Sequence, residues 1–219
     1  MSDTLPLEQL VSEDLFERIV QDLHSQGFSI QTNALPEALA IGLKDYAFEM
    51  SSAKFQKAGI GRKTDFTKSE VIRRDEICWI TGASEIGLSW LNWCALFQQY
   101  VNRRLFLGLF SYETHFAHYG KGDFYKRHYD AFRGEANRVL SMVVYLNPDW
   151  QEQDGGELVL YRSDDDADGI YVAPKLGTVV VFLSEEFPHE VLPAKADRYS
   201  IAGWFRVNGS NAHKVDPSR

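Results

Sequence analysis

Cysteine is scarce in this chain. Cys78 and Cys94 are the only two among 219 residues, and no CxxC pair occurs. That argues against a disulfide framework and for a reducing compartment. Positive charge is also short: 23 Lys and Arg face 31 Asp and Glu, a formal net charge of -8. Sequence-independent nucleic-acid binding and anionic membrane surfaces both need cations, so both are disfavoured. No apolar run approaches the roughly 20 residues of a membrane span. The opening "MSDTLPLEQL" shows no basic stretch followed by an apolar one. The expectation is a soluble cytoplasmic protein with no nucleic-acid and no membrane partner. A serine nucleophile elbow, a Walker loop and a dinucleotide fingerprint are absent too.

What is present divides near residue 104. Before it, three segments carry apolar residues at helical spacing. "SEDLFERIVQDLHSQG" aligns Leu15, Phe16, Ile19, Val20 and Leu23, with Ser12 placed as N-cap and Gly27 as stop. "PEALAIGLKDYAFEM" begins with Pro36 in the first turn and aligns Leu39, Leu43, Tyr46, Ala47 and Met50. "EIGLSWLNWCALFQQYVNRR" turns Trp90, Trp93, Cys94, Phe97 and Val101 inward. Between the last two helices, residues 54–74 form a basic stretch with Lys54, Lys57, Arg62, Lys63, Lys68, Arg73 and Arg74. It lacks an apolar period, so a long loop or closing flap is expected.

After residue 104 short β-rich runs follow one another: "YETHFAHY", "RVLSMVVYLN", "ELVLY", "GTVVVFL", "HEVLP" and "RYSIAGWFRV". Turn clusters separate them, as in a sandwich, barrel or jelly roll. No linker divides the halves, so residues 1–207 read as one domain: 1–104 mostly helical support, 105–207 the β core, and 208–219 a polar tail.

One polar run stands out. "RHYDAF" places His128 and Asp130 two residues apart, on one face if the run is a strand. Alone the pair reads as a surface ion pair. Downstream, "FPHEVLPAKADRYSIAGWF" adds His189 and Arg198. Arg198 begins a row with Ser200, Ala202 and Trp204, and an inward arginine is costly unless an anion meets it. Two histidines and a carboxylate can occupy one face of an octahedron around Fe(II), leaving three positions open. A 2-oxo acid can fill two and dioxygen one. If the acid is 2-oxoglutarate, its far carboxylate needs a cation, and a guanidinium supplies two parallel hydrogen bonds.

The segments "IRRDEICWI", "YKRHYD", "VVYLNPDW", "GGELVLY" and "PHEVLPAKADRYSIAGWF" together resemble the 2-oxoglutarate/Fe(II)-dependent oxygenases, in their prolyl hydroxylase domain branch related to the hypoxia-inducible-factor hydroxylases. The resemblance runs from about Glu70 to Arg206. It implies a mainly β fold with supporting helices: a double-stranded β-helix, or jelly roll, braced by N-terminal α-helices. It implies that His128, Asp130 and His189 ligate iron and that Arg198 binds the distal carboxylate of 2-oxoglutarate. Tyr145 corresponds to a tyrosine bonding the same carboxylate, and Tyr119 to a second tyrosine facing the cosubstrate. Trp204 would pack near the second histidine. Arg73 and Arg74 fall where such enzymes carry a loop over a peptide substrate. The implied activity is prolyl 4-hydroxylation of a protein or peptide, a translation factor among the candidates. Fe(2+), 2-oxoglutarate and O2 would be consumed or used, with ascorbate as reductant and succinate and CO2 released. Two alternatives stay open: the same chemistry on another side chain, free amino acid or methylated base, and a non-catalytic binding module of the same fold.

Other signals read as structural. Asp164, Asp166, Asp168 and Gly169 imitate a calcium loop, but Lys175 stands where its bidentate glutamate belongs. His115 and His118 fall on opposite sides of a strand. Phe124 and Tyr125 line either the pocket or the core.

Overall fold

The computed structural model describes residues 4–50, 54–58, 71–131 and 137–208. The helices are α1 (Leu7–Leu10), α2 (Glu13–Gln26), α3 (Glu37–Glu49) and α4 (Glu85–Leu105). The strands are β1 (Phe28–Gln31), β2 (Gln56–Lys57), β3 (Glu76–Trp79), β4 (Leu109–Tyr119), β5 (Tyr125–His128), β6 (Arg138–Tyr145), β7 (Leu158–Leu160), β8 (Ile170–Val172), β9 (Val179–Leu183), β10 (His189–Val191) and β11 (Arg198–Val207).

The strands form two antiparallel sheets. The larger runs β1-β9-β6-β11-β4-β3-β2 and the smaller β5-β10-β7-β8. Stacked face to face, they make the double-stranded β-helix. The helical stripes pack on the outer face of the large sheet. There Trp90, Trp93, Phe97 and Val101 of α4 and Phe16 and Ile19 of α2 meet Phe116, Leu140, Met142, Val144, Val181, Ile201 and Phe205. The inner face joins the small sheet in a second core of Ala117, Tyr119, Tyr145, Val180 and Phe182 against Leu158, Leu160, Val172 and Val191. Strand alternation separates the two sets, since neighbours in sequence point to opposite faces.

Residues 1–104 hold more than helical support. β1 pairs with β9, and β3 pairs with β4, so this half also builds both flanks of the large sheet. α2 ends where expected, on Gly27 at φ 80, whose N–H donates to the Leu23 carbonyl. Ser12 stands at the N-cap but does not cap. Its hydroxyl donates to the Leu10 carbonyl at 3.2 Å and accepts from Trp93 Nε1 at 3.3 Å, tying the helix start to α4. Pro36 sits one place earlier than expected, at the N-cap of α3. The expected flap lies mostly outside the described residues, as do Arg62, Lys63, Lys68 and the tail beyond Asn208. No helix among the described residues is long and apolar enough to cross a membrane.

Candidate active site

The mouth of the barrel gathers His128 from the end of β5, Asp130 just beyond it and His189 from the start of β10. One ligand atom from each lies within 4.8 Å of the others. Pairing explains the meeting of the histidines: His189 stands directly opposite His128 in the ladder. Asp130 arrives differently than simple strand parity expects. β5 stops at His128 and the chain bends, so Asp130 lies outside the strand. Its carboxylate is caught from across the barrel by Ser141 of β6, whose hydroxyl donates at 2.6 Å to Oδ2.

Both imidazoles are oriented alike. His128 Nδ1 donates to the Lys126 carbonyl at 2.7 Å and His189 Nδ1 to the Phe187 carbonyl at 3.2 Å. A carbonyl can only accept, so each Nδ1 carries the hydrogen. That leaves Nε2 as the nitrogen each ring can offer a metal, and the two Nε2 atoms lie 3.6 and 3.7 Å from the Asp130 carboxylate. Metal-binding histidines are commonly oriented through such a bond on the other nitrogen. Burial, with His128 close by, lowers His189 to about 4. Burial alone would raise the Asp130 carboxyl, but His189, His128 and the Ser141 hydroxyl hold it well below the usual range. Two imidazole nitrogens and one carboxylate oxygen make a mixed donor set that suits a divalent cation. The donors fit ferrous iron.

The register of β4, β11 and β6 arranges the inner wall in rows. Glu113, Trp204 and Ser141 form the row at the metal end; His115, Ala202 and Val143 the next; Ala117, Ser200 and Tyr145 the third; and Tyr119 pairs with Arg198 beyond it. The barrel interior thus has a carboxylate and two imidazoles at one end and a guanidinium deeper in.

Arg198 is only 1% exposed. Its Nε donates to the Gly156 carbonyl at 2.8 Å and its Nη1 to Ser200 Oγ at 3.2 Å. The rings of Tyr119 and Tyr145 lie 4.8 and 5.1 Å from its central carbon. Among the described residues no carboxylate pairs with it. The second glycine of "GGELVLY" is needed here. Gly156 has φ +69, and a Cβ on it would stand 3.1 Å from Arg198 Cδ. Beside the guanidinium the Tyr145 hydroxyl is fully buried and has no hydrogen-bond partner among the described residues. Burial pushes it up to about 12 against the pull of Arg198, so it stays a donor. A buried cation without an anion and an orphaned donor are both costly unless a ligand completes them. The distal carboxylate of 2-oxoglutarate fits both.

Other residues take different places. The ring edge-on to His189 is Phe182, with centroids 4.8 Å apart. Trp204 instead lies under Arg138, 3.7 Å from its ring centroid, and beside His115. Arg138 in turn donates to the Asp130 carbonyl at 3.3 Å and to Glu113 Oε1 at 2.8 Å. Arg73 is engaged by Asp75 and lies over Tyr125, while exposed Arg74 lies over Phe124. His118 pairs with Asp197 at 2.9 Å on the outer side, and His115 is buried on the inner side. Asp166 accepts from the backbone of Arg162, Asp168 and Gly169, so the aspartate run is a capped turn. Ser141, Asp75 and Arg138 carry no sequence motif that marks them for the site. For Ser141 the available signal was a hydroxyl in an otherwise apolar strand.

The profile of the 2OG-Fe(II) oxygenase superfamily matches residues 114–206. Mouse (Mus musculus) Egl nine homolog 1 is 30% identical over 159 residues, covering 67% of this chain and 38% of that protein. The chain thus spans well under half of that relative. Human (Homo sapiens) prolyl hydroxylase EGLN3 is 26% identical over 220 residues, covering 92% of this chain and 89% of that one. Among solved structures, a Pseudomonas putida prolyl-4-hydroxylase is 40% identical with TM-score 0.78, covering 89% of this chain and 100% of that chain. A Trichoplax adhaerens prolyl hydroxylase, solved with a hypoxia inducible factor oxygen degradation domain peptide fragment, is 26% identical with TM-score 0.78, covering 94% of each chain.

Proposed function

The chain belongs to the 2-oxoglutarate/Fe(II)-dependent oxygenase superfamily, in its prolyl hydroxylase branch, and from that premise we propose that it is a prolyl 4-hydroxylase of peptides or proteins. The observation that carries this reading is the two-ended barrel interior: His128, Asp130 and His189 converge at the mouth, and buried Arg198 lies deeper inside with no carboxylate partner among the described residues. Bound there, ferrous iron supplies the oxidation in which 2-oxoglutarate and O2 become succinate and CO2 and a prolyl C–H becomes C–OH.

The chain's own part is placement. His128 and His189 present Nε2 lone pairs, fixed by their Nδ1 bonds to backbone carbonyls. Asp130 stays ionised, steadied by the Ser141 hydroxyl. Arg198 and the Tyr145 hydroxyl receive the distal carboxylate of the diacid. Tyr119 and the inner apolar cluster keep that end dry, which strengthens the ionic contact.

The substrate we propose is a proline-containing segment of a protein. The Trichoplax relative's peptide complex supports a peptide in this position. A translation factor is the candidate carried from the sequence resemblance. Arg73 and Arg74 belong to this proposal as residues near the peptide path. Both cysteines are free thiols, which supports a reducing, cytoplasmic setting. Ascorbate serves as the reductant that keeps the iron ferrous.

The experiment is turnover of 2-oxoglutarate to succinate with Fe(II), with and without proline peptides, followed by mass spectrometry of the peptide. Turnover stimulated by a proline peptide, a gain of one oxygen on proline and loss of both in His128→Ala support the reading. Stimulation only by another substrate class redirects it to the same chemistry elsewhere. No turnover with intact iron binding makes the chain a binding module.

A further inference from the structure

The backbone of residues 72–74 runs beside β5. Arg74 N–H donates to the Phe124 carbonyl at 3.1 Å, and Lys126 N–H donates to the Ile72 carbonyl at 2.9 Å. Between these bonds Arg73 faces Tyr125 in an antiparallel bridge. Asp75 follows, 1% exposed, and its carboxylate accepts Arg73 Nε at 2.7 Å and Nη2 at 2.5 Å. This two-pronged contact fixes the plane of the guanidinium. The central carbon of Arg73 lies 4.2 Å from the Tyr125 ring centroid. The Tyr125 ring lies parallel to the His128 imidazole, with centroids 3.6 Å apart and planes 15° apart.

Residues three apart on a regular strand point to opposite faces. Here β5 carries an irregularity against β10: His128 pairs with His189, but Tyr125 pairs with Val191. Three steps on β5 therefore answer two on β10, which is a bulge. Bulges re-aim side chains, often beside active sites. This one brings Tyr125 onto the face of His128. The carbonyl that holds His128 Nδ1 belongs to Lys126, and the N–H of Lys126 is itself held by Ile72. Ring plane and ring rotation of His128 are thus both set from residues 72–75.

We propose that Arg73, held by Asp75, is a positioning residue for His128, acting through the ring of Tyr125 to preset the imidazole for metal binding. This inference rests on the metal-site reading above. It gives Arg73 a role apart from substrate contact: its prongs are turned to Asp75 and its face to Tyr125.

The test is Mn(II) binding to the full chain, measured by calorimetry without turnover, with circular dichroism checking the fold. Arg73→Lys keeps the charge but loses the planar fork, and Tyr125→Leu loses the ring. Each should weaken Mn(II) binding roughly tenfold, as is usual when a group orienting a metal ligand is removed. Tyr125→Phe, which keeps the ring, should retain wild-type affinity. Should Tyr125→Leu not fold, the contrast between Arg73→Lys and Tyr125→Phe carries the test. Wild-type affinity in Arg73→Lys overturns the inference. If His128→Ala loses Mn(II) while Arg73→Lys and Tyr125→Leu keep it, the metal site stands and only the positioning role falls. If His128→Ala binds as wild type does, the metal reading falls and takes the inference with it.

Discussion

Along β11, Ile201 and Phe205 point to the helical layer, whereas Arg198, Ser200 and Trp204 point into the barrel. The two sets share one backbone and the same neighbouring strands, β4 and β6. They differ in what completes them. Phe205 is satisfied within the chain, packed on Phe97 and Tyr112 at 5.4 and 4.2 Å. Arg198 lacks an anionic partner among the described residues. Alternation thus lets one strand hold the fold with one face and offer ligand contacts with the other. Stability should follow the outer face and ligand binding the inner one.

The largest expected effect lies on the outer face. Phe205→Ala leaves a cavity under α4 and should cost about 3–5 kcal/mol in chemical denaturation. Comparable destabilisation from truncating Ser200 would break the division between faces.

The inner face should be the acid-sensitive one. His115 is buried between Trp79 and Trp204, and burial lowers it to about 4 from 6.5. Between those values the unfolded chain binds a proton that the folded chain refuses, so stability rises with pH. It is complete above about 6.5 and drains away as pH falls towards 4, by on the order of 3 kcal/mol. Denaturation at pH 7 and pH 4.5 should show a smaller acid loss in His115→Leu than in the wild type. An unchanged acid loss would remove His115 as a source.

Arg198→Met sharpens the contrast further. 2-Oxoglutarate affinity should fall on the order of a hundredfold, since a charged hydrogen-bonding partner is lost. Stability without ligand should hold or rise, because an uncompensated buried charge is gone. Calorimetry and thermal melts read the two effects separately. The smallest effect is expected at Tyr145→Phe: the hydroxyl alone is removed, and 2-oxoglutarate should bind about tenfold more weakly in an intact fold. Unchanged affinity would take Tyr145 out of the pocket.

Long-period signals were the legible part of the fold. The α2 stripe is the set of buried residues in that helix, and α4 buries Trp90, Trp93, Cys94, Phe97 and Val101 as its spacing suggests. The longer strands β4, β6 and β11 also show in the sequence. β1 and β8 do not: "FSIQ" and "IYV" are too short to carry a period, and the partner of β1, β9, lies about 150 residues away. At the site, the residue types were legible because imidazole, carboxylate and guanidinium have few joint explanations. Their approach was not. Asp130 reaches the histidines from beyond the strand end, held by Ser141, and Tyr125 reaches His128 only through a bulge. Pairing irregularities leave little trace in a single sequence.

One barrel interior is proposed to hold a metal at its mouth and a diacid deeper inside. Crystals grown with Mn(II) and 2-oxoglutarate without turnover test it most directly, since anomalous scattering locates the metal. One peak is expected, bound by His128 Nε2, His189 Nε2 and an Asp130 oxygen, with the far carboxylate of 2-oxoglutarate on Arg198 and Tyr145. A metal bound elsewhere, or a diacid that leaves Arg198 untouched, would contradict it.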